Sequence, residues 1–203
     1  MARSADHDAR RREVAEALIA VVARRGLAEA SLAVVAAEAG VSIGLIQRYF
    51  RTRRELVRFA FEYLEERARE RLGEVQAAAR GDVPAVAFAM LETLLPLDEE
   101  RMAETAAWIA FLAAGLVDEE MLAPHQQGMQ MMHEAIAAAV RQSIVACSSP
   151  KHLDADAEAR LLTSLVDGLV IDMATNPRDL TPAAARQVLA TAVDRAFGLE
   201  AAR

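Results

Sequence analysis

The residues with the clearest chemical potential in this sequence share one face of a short predicted helix. At helical spacings i, i+3, i+4 and i+7 they are Gly44, Gln47, Arg48 and Arg51. Guanidinium and amide groups bind phosphates and base edges. Glycine costs a helix about 1 kcal/mol relative to alanine, which is understandable if a phosphate backbone approaches the first turn closely. Ser42 and the free amides of that turn add donors, so this face is predicted to enter the major groove of DNA.

The other face of the same helix is predicted to pack on the protein. Ile43, Ile46 and Phe50 recur at helical spacing as an apolar stripe, with Tyr49 alongside. An alternative interpretation fits the same pattern, because Gly44 could simply ease packing while the arginines are solvated.

Charge is distributed unevenly along the chain. The 203 residues carry a formal net charge of −7, yet residues 1–58 hold 11 arginines against 7 acidic residues. The remainder therefore carries −11. A basic first quarter on an acidic body indicates an anionic partner at one end, with nucleic acid as the first candidate. A solvated charged face is the alternative.

The elements that must position this face are predicted from capping residues. Ser31 begins a helix that runs through Ala39, and Gly40 suits the left-handed position after its end. Ser42 then caps the next helix, so the two form a helix-turn-helix. Thr52 and Glu55 make a capping box for a long helix that continues toward residue 79.

The rest of the chain also has helical periodicity, so the predicted fold is all-α. Only 4% of the residues are aromatic, good helix formers dominate, and no segment is a persuasive strand. The remaining helices are predicted at about 9–25, 84–95, 99–115, 119–146, 155–175 and 182–197. The clearest loop is CSSPKHLD, residues 147–154.

Several other classes of protein are disfavoured by the sequence. No apolar run reaches the roughly 20 residues of a membrane span, and no signal peptide is evident. The single cysteine, Cys147, fits a reducing compartment, so we expect a cytoplasmic location. His125 and His133 lack metal-site spacing, and no glycine-rich phosphate loop follows a strand. We expect no catalysis, no metal and no cofactor.

The stretch SLAVVAAEAGVSIGLIQRYFRTRRELV resembles the N-terminal signature of the TetR family of transcriptional regulators. The matching positions are Ala36, Ala39, Gly40, Val41, Ser42, Gly44, Ile46, Tyr49, Phe50, Arg53, Glu55 and Leu56. Two positions depart from the family pattern: Gln47 stands where an aromatic residue is frequent, and Arg53 where lysine is usual. Glutamine can bond adenine through two hydrogen bonds, so Gln47 is expected to alter the DNA sequence preferred.

The resemblance implies roles for individual residues. Ser31, Ser42 and Tyr49 are expected to contact phosphates, with Arg53 doing so from the fourth helix. Tyr49 is equally readable as a core residue. The residues expected to face the groove are Gly44, Leu45, Gln47 and Arg48, and Ile43 and Arg51 complete the predicted DNA-binding set. Arg10 to Arg12 could form a basic arm on DNA or a solvated one.

Two later stretches resemble the C-terminal domain of BetI-type members of that family. They are LLPLDEERMAETAAWIAFLAAGLVDEEM and LLTSLVDGLVIDMATNPRDLTPAAARQVL. The resemblance implies a ligand-responsive homodimer. Apolar residues at helical spacing are candidate ligand contacts: Phe88, Met90, Trp108, Phe111, Leu112, Met121, Met129, Met132 and Met173. Trp108 with a buried acid, Asp167 or Asp172, could hold a cation, although each of these residues is also readable as ordinary core or surface.

The last two predicted helices are expected to form the dimer interface as a four-helix bundle. Its candidate residues are Leu161, Leu165, Val166, Leu169, Val170, Met173, Val188, Leu189, Ala192, Val193 and Ala196. A two-fold DNA site needs a two-fold protein. The same faces are also readable as internal core.

The combined expectation is a three-helix DNA-binding domain over residues 1–55, joined by a long fourth helix to a larger helical effector-binding and dimerisation domain over 56–203. Such a dimer would repress from a palindromic operator and be released by a small-molecule effector that shifts the fourth helix. An activator or co-regulator fits the sequence equally. A helical ligand- or protein-binding module with a degenerate DNA-binding head is the alternative from another class.

Overall fold

A computed structural model of the chain describes residues 2–78, 82–146 and 152–199. Within these ranges the chain forms nine α-helices and no strand, which confirms the predicted all-α fold. The helices are α1 Ala2–Arg25, α2 Leu32–Ala39, α3 Ile43–Tyr49, α4 Arg53–Ala78, α5 Val83–Glu92, α6 Glu99–Gly115, α7 Glu119–Val145, α8 Ala155–Thr175 and α9 Pro182–Ala196.

Most helix boundaries fall where the capping residues predicted them. Two differ by several residues: α1 begins at Ala2, seven residues before the predicted start, and α5 ends at Glu92, three residues before its predicted end. Cys147 and most of the predicted loop at 147–154 lie outside the described residues.

The chain divides into two compact units. The first comprises Met1–Arg67 and Glu99–His125, and the second comprises Ala68–Asp98 and Gln126–Arg203. Helices α4 and α7 each continue from one unit into the other. This division follows packing, so it groups α6 with the N-terminal helices. The functional division at residue 55 remains a prediction.

The first unit is built around α1, which packs against both α2 and α6. Leu18, Ile46, Phe50, Phe61 and Phe111 are among its fully buried side chains. Burial of a side chain of this size stabilises a fold by about 1.5–3 kcal/mol. The short α3 therefore gains its stability from tertiary packing, because a seven-residue helix is marginal alone.

The second unit packs α9 against α8 and α5. Its fully buried residues include Leu91 of α5, Met173 of α8 and Leu189 of α9. An ion pair at its surface joins Arg186 Nε of α9 to Glu92 Oε1 of α5 at 2.5 Å.

Among the described helices none alone is long and apolar enough to cross a membrane. By length and composition one bent pair, Leu32–Ala39 with Ile43–Tyr49, passes the same test, and its two axes differ by 104°.

Candidate nucleic-acid interface

Helices α2 and α3 each begin at a capping serine and are joined by a tight turn that starts at Gly40. The hydroxyls of Ser31 and Ser42 each accept a hydrogen bond from the amide three residues later, at 3.3 and 3.2 Å. Gly40 has a φ of 65°, the left-handed conformation that favours glycine. The 104° between the helices falls in the range of about 90–120° typical of a helix-turn-helix. The predicted motif is confirmed.

The second helix of the motif presents a polar face to solvent. Ser42, Gly44, Gln47 and Arg48 are exposed, and so is Arg51 just after the helix. Ile46 and Phe50 are fully buried on the other side. The predicted face is therefore available to a partner.

One residue of the predicted apolar stripe, Ile43, does not pack on the protein as predicted. The side chain of Ile43 is 43% exposed and does not pack in the core. The reason is that α3 ends at Tyr49, and Phe50 has an extended backbone with φ −135° and ψ 115°. Phe50 therefore reaches the core from outside the helix, and a helical wheel that includes it misplaces the stripe. Ile43 lies beside the polar face instead.

Gly44 has no steric reason within the chain to be glycine. A Cβ at this position would meet only the Ser42 hydroxyl, at 4.0 Å, and open space beyond it. Its backbone is an ordinary helical one. Because a helix loses about 1 kcal/mol at glycine relative to alanine, the residue is best explained by something outside the chain that approaches closely.

Leu45 and Tyr49 are half-buried, between the two faces of α3. The Tyr49 ring meets the His7 ring of α1 edge-on, with centroids 4.9 Å apart. Tyr49 thus packs on the protein and retains exposed surface, as its two predicted roles require.

Arg53 makes contacts that the sequence did not reveal. Its Nε donates a hydrogen bond to the Ala30 carbonyl at 2.9 Å, and its Nη2 donates to the Leu27 carbonyl. Both acceptors lie in the loop between α1 and α2. Arg53 therefore fixes that loop at the start of α2, and its predicted phosphate contact would have to use its other N–H groups.

Arg54, which the predicted site omitted, forms an ion pair with Asp118 at 2.8 Å. The hydrogen bond to Asp118 and the charge of that carboxylate raise the pKa of Arg54 above its ordinary value. Arg54 and Asp118 also border an open cavity of about 350 Å³, together with Leu27, Arg53, Val57, Ala114 and Val117.

Arg11 supports the end of α3. Its guanidinium carbon lies 5.0 Å from the centroid of Phe50 and 4.1 Å from that of Phe59. The two rings are themselves 5.4 Å apart. Arg10 to Arg12 belong to the helix α1, and Arg11 stacks on the protein. Nothing local in the sequence indicated this contact, since 39 positions separate Arg11 from Phe50. Contact of Arg10 or Arg12 with DNA stays a prediction.

Comparison with known proteins matches both parts of the chain to one family. Residues 14–59 match the family model of bacterial regulatory proteins of the tetR family. Residues 84–198, more than half of the chain, match the BetI-type transcriptional repressor C-terminal domain. The chain belongs to the TetR family. It is thus a ligand-responsive, DNA-binding transcriptional regulator, as the resemblance predicted.

Individual relatives of this TetR-family chain are similar over most of their length. The HTH-type transcriptional regulator PksA of Bacillus subtilis is 31% identical over 183 residues, which span 87% of this chain and 84% of PksA. A transcriptional regulator from Rhodococcus sp. Rha1 is 31% identical with a TM-score of 0.78, covering 93% of this chain and 96% of its own. A Saccharomonospora viridis regulator solved in complex with choline shares the fold with a TM-score of 0.84 at 21% identity, covering 92% and 96%.

The predicted ligand contacts of this TetR-family regulator are divided between the two units. Trp108, Phe111, Leu112 and Met121 belong to the first, and the other predicted contacts, Phe88, Met90, Met129, Met132, Asp172 and Met173, belong to the second. Phe111, Met121, Met132, Met90 and Met173 are buried. Their role in binding a ligand remains a prediction.

The acid predicted beside Trp108 is corrected. Asp167 and Asp172 are both exposed, and Asp172 accepts a hydrogen bond from Asn176 at 2.6 Å. The acid that Trp108 contacts is Glu65, whose Oε1 accepts the indole N–H at 3.0 Å. Sequence spacing could not reveal it, because the two residues lie on different helices.

The predicted dimer residues fall into two groups. Seven are buried within the chain and cannot form a surface for a partner, which corrects their assignment: Val166, Leu169, Val170, Met173, Leu189, Val193 and Ala196. Leu161 is 64% exposed and Val188 is 42% exposed, while Leu165 and Ala192 are half-buried. Ile171, at 45% exposed, lies on the same helix as Leu161 and was not predicted.

Proposed function

We propose that this TetR-family regulator places the exposed face of α3 in the major groove of its operator. Gly44, Gln47 and Arg48 would face the groove, flanked by Ile43 and Leu45. The observation that carries this assignment is the open space around Gly44. A residue with no internal reason to be glycine, on the exposed first turn of the second helix of the motif, is suited to a phosphate backbone at close range.

Phosphate contacts are proposed around this face. Ser31 and Ser42 lie at the N-termini of α2 and α3, where backbone amides favour an anion. Arg51 is exposed just beyond α3, and Tyr49 retains exposed surface beside it. Arg53 would bind phosphate only through the N–H groups that the α1–α2 loop leaves available.

We propose a homodimer that uses the exposed face of α8 and α9. Leu161, Leu165 and Ile171 form an apolar stripe on α8, and Val188 and Ala192 provide one on α9. Gly168 lies within the α8 stripe, and a Cβ there would meet nothing within 4 Å. Like Gly44, it is unexplained within one chain, and close approach of a second helix would explain it.

The direction of regulation is proposed to be repression. The matched C-terminal family is described as a transcriptional repressor, and the Saccharomonospora viridis regulator was solved with choline bound. These support a repressor that a small organic molecule releases, with effector and dimer contacts in residues 56–203 and DNA contacts in 1–55. We also propose a cytoplasmic location, because a DNA-binding regulator must reach its operator.

Selection from random duplex DNA tests this function directly. The purified full chain is expected to enrich one two-fold symmetric site at fixed moderate salt, since phosphate contacts make affinity depend on salt. The Gly44→Gln variant is expected to retain the fold, because a Cβ at this position meets open space, and to enrich none. Binding without sequence preference by the wild type would overturn the proposal and favour a helical binding module with a degenerate head.

A further inference from the structure

Three helices of the first unit meet at one nearly buried carboxylate. Glu65 of α4 is 12% exposed, and its Oε1 accepts the indole N–H of Trp108 on α6 at 3.0 Å. The same oxygen lies 3.1 Å from Nδ1 of His125 on α7. An ionised carboxylate only accepts hydrogen bonds, so Nδ1 carries the proton in this contact. One oxygen thus joins α4, α6 and α7.

The surroundings make these two hydrogen bonds important for the carboxylate. The His125 ring lies 5.5 Å from Trp108, edge-on, and 6.3 Å from Phe61. Phe61 is fully buried. A carboxylate that has lost most of its water needs protein donors, and removing one donor from a buried charge costs more than an ordinary hydrogen bond.

The cluster lies close to the positions at which α4 and α7 pass from the first unit into the second. In α4 the first unit ends at Arg67, two residues after Glu65. In α7 it ends at His125 itself. Both helices continue without a break, α4 to Ala78 and α7 to Val145. At its other end α4 begins four residues after α3 ends. The cluster therefore lies at the ends of the parts of α4 and α7 that belong to the first unit.

We propose that Glu65 is a positioning residue for operator binding, a role that rests on the proposed function. Its hydrogen bonds to Trp108 and His125 hold α4 in one register against α6 and α7. In a dimer this register sets the distance between the two α3 helices. Loss of the carboxylate would leave each α3 intact and relax the half-site spacing that the dimer prefers.

The test combines a spectroscopic signal with a spacing measurement. Trp108 is the single tryptophan, so its emission reports the indole environment at Glu65. The variants are Glu65→Gln, which removes the charge at constant shape, and His125→Leu, which removes the second donor. The control is Glu70→Gln, the same charge change at an exposed position of α4. Each full-length protein is titrated with the selected operator and with that operator lengthened by one central base pair.

We expect Glu65→Gln and His125→Leu to shift the Trp108 emission, whereas Glu70→Gln does not. We also expect both to lose discrimination between the two operators by about 5- to 150-fold, the usual range of coupling between sites. Unchanged emission and unchanged discrimination in both folded variants would overturn the positioning role while the proposed function stands. Failure of the wild type to select an operator would instead overturn the proposed function.

Discussion

Gly44 is the residue whose replacement should affect DNA binding most selectively. Alanine or glutamine favours the helix by up to about 1 kcal/mol, so thermal stability should not fall. Any side chain there would project from the exposed face of α3, which we propose lies against the DNA. We expect operator affinity, measured by fluorescence anisotropy, to fall for Gly44→Ala and further for Gly44→Gln.

The matched control for this substitution is Gly73→Gln. Gly73 is an exposed glycine of α4 whose Cβ position is also open. The Gly73→Gln variant should bind the operator with wild-type affinity, although its helix propensity is higher. Wild-type affinity in Gly44→Gln would refute the close approach of a phosphate backbone.

Arg11 should stabilise the end of α3 through its contacts with the Phe50 and Phe59 rings. Cation–π contacts contribute about 0.5–2 kcal/mol, depending on how far the cation is desolvated. We expect Arg11→Ala to lower the free energy of unfolding by about 1 kcal/mol in denaturant titrations and to weaken operator binding. Arg25→Ala, at an exposed end of α1, should change neither. Equal stability of the two variants would show that the stacked guanidinium contributes nothing.

At the scale of elements, the caps explain why the beginnings of several helices could be predicted so closely. Ser31, Ser42 and Thr181 each accept a hydrogen bond from the amide three residues later. These interactions are local, so the sequence alone encodes them. In the predicted capping box of α4, the Thr52 hydroxyl accepts a hydrogen bond from the Glu55 amide as expected. The Glu55 carboxylate accepts from the Arg51 amide and not from that of Thr52. Contacts between helices, such as Arg53 to the α1–α2 loop, have no local signal and were missed.

Tyr63 links α4 to α1 and should give the chain an alkaline titration. Burial, followed by its hydrogen bond to Glu16 at 2.7 Å, raises the pKa of Tyr63 to about 12 from an ordinary 10.0. The folded state thus holds the phenolic proton more tightly than the unfolded state. The resulting stability is fully present below pH 10 and is lost as pH rises through about 12.

Phenolate absorbance and denaturant unfolding across that range measure this effect. We expect Tyr63→Phe to remove the absorbance step near pH 12 and to reduce the loss of stability between pH 10 and 12. Tyr49→Phe should leave that step in place. A wild-type chain in which no tyrosine titrates near pH 12 would contradict the part-burial of Tyr63 and its hydrogen bond to Glu16.

At the scale of the whole molecule, helical periodicity could not separate core from interface. Helix α8 is apolar on two sides: Val166 and Met173 are buried within the chain, whereas Leu161 and Ile171 face out. Both sets have the spacing of an apolar face, so the sequence predicted them together. The side that is covered depends on tertiary packing, such as that of α9 against α8.

The exposed stripe of α8 and α9 should control the oligomeric state. A charge at Leu161 or Val188 would be buried without a partner in the proposed dimer, which is strongly unfavourable. We expect Leu161→Glu and Val188→Glu to be monomers in light scattering after size exclusion, while the wild type is a dimer. Val117→Glu, at a 93% exposed position in the first unit, should remain dimeric. A dimer that survives both substitutions would place the interface elsewhere.

The most direct measurement is the number of chains that bind one selected operator. It is combined with the affinity for operators in which one half-site has been scrambled. Native mass spectrometry or a stoichiometric titration gives the number. We predict two chains on a two-fold site whose half-sites lie about one helical turn apart, with affinity lost when either half is scrambled. One chain per site, or affinity indifferent to scrambling, would contradict binding as a two-fold dimer through α3.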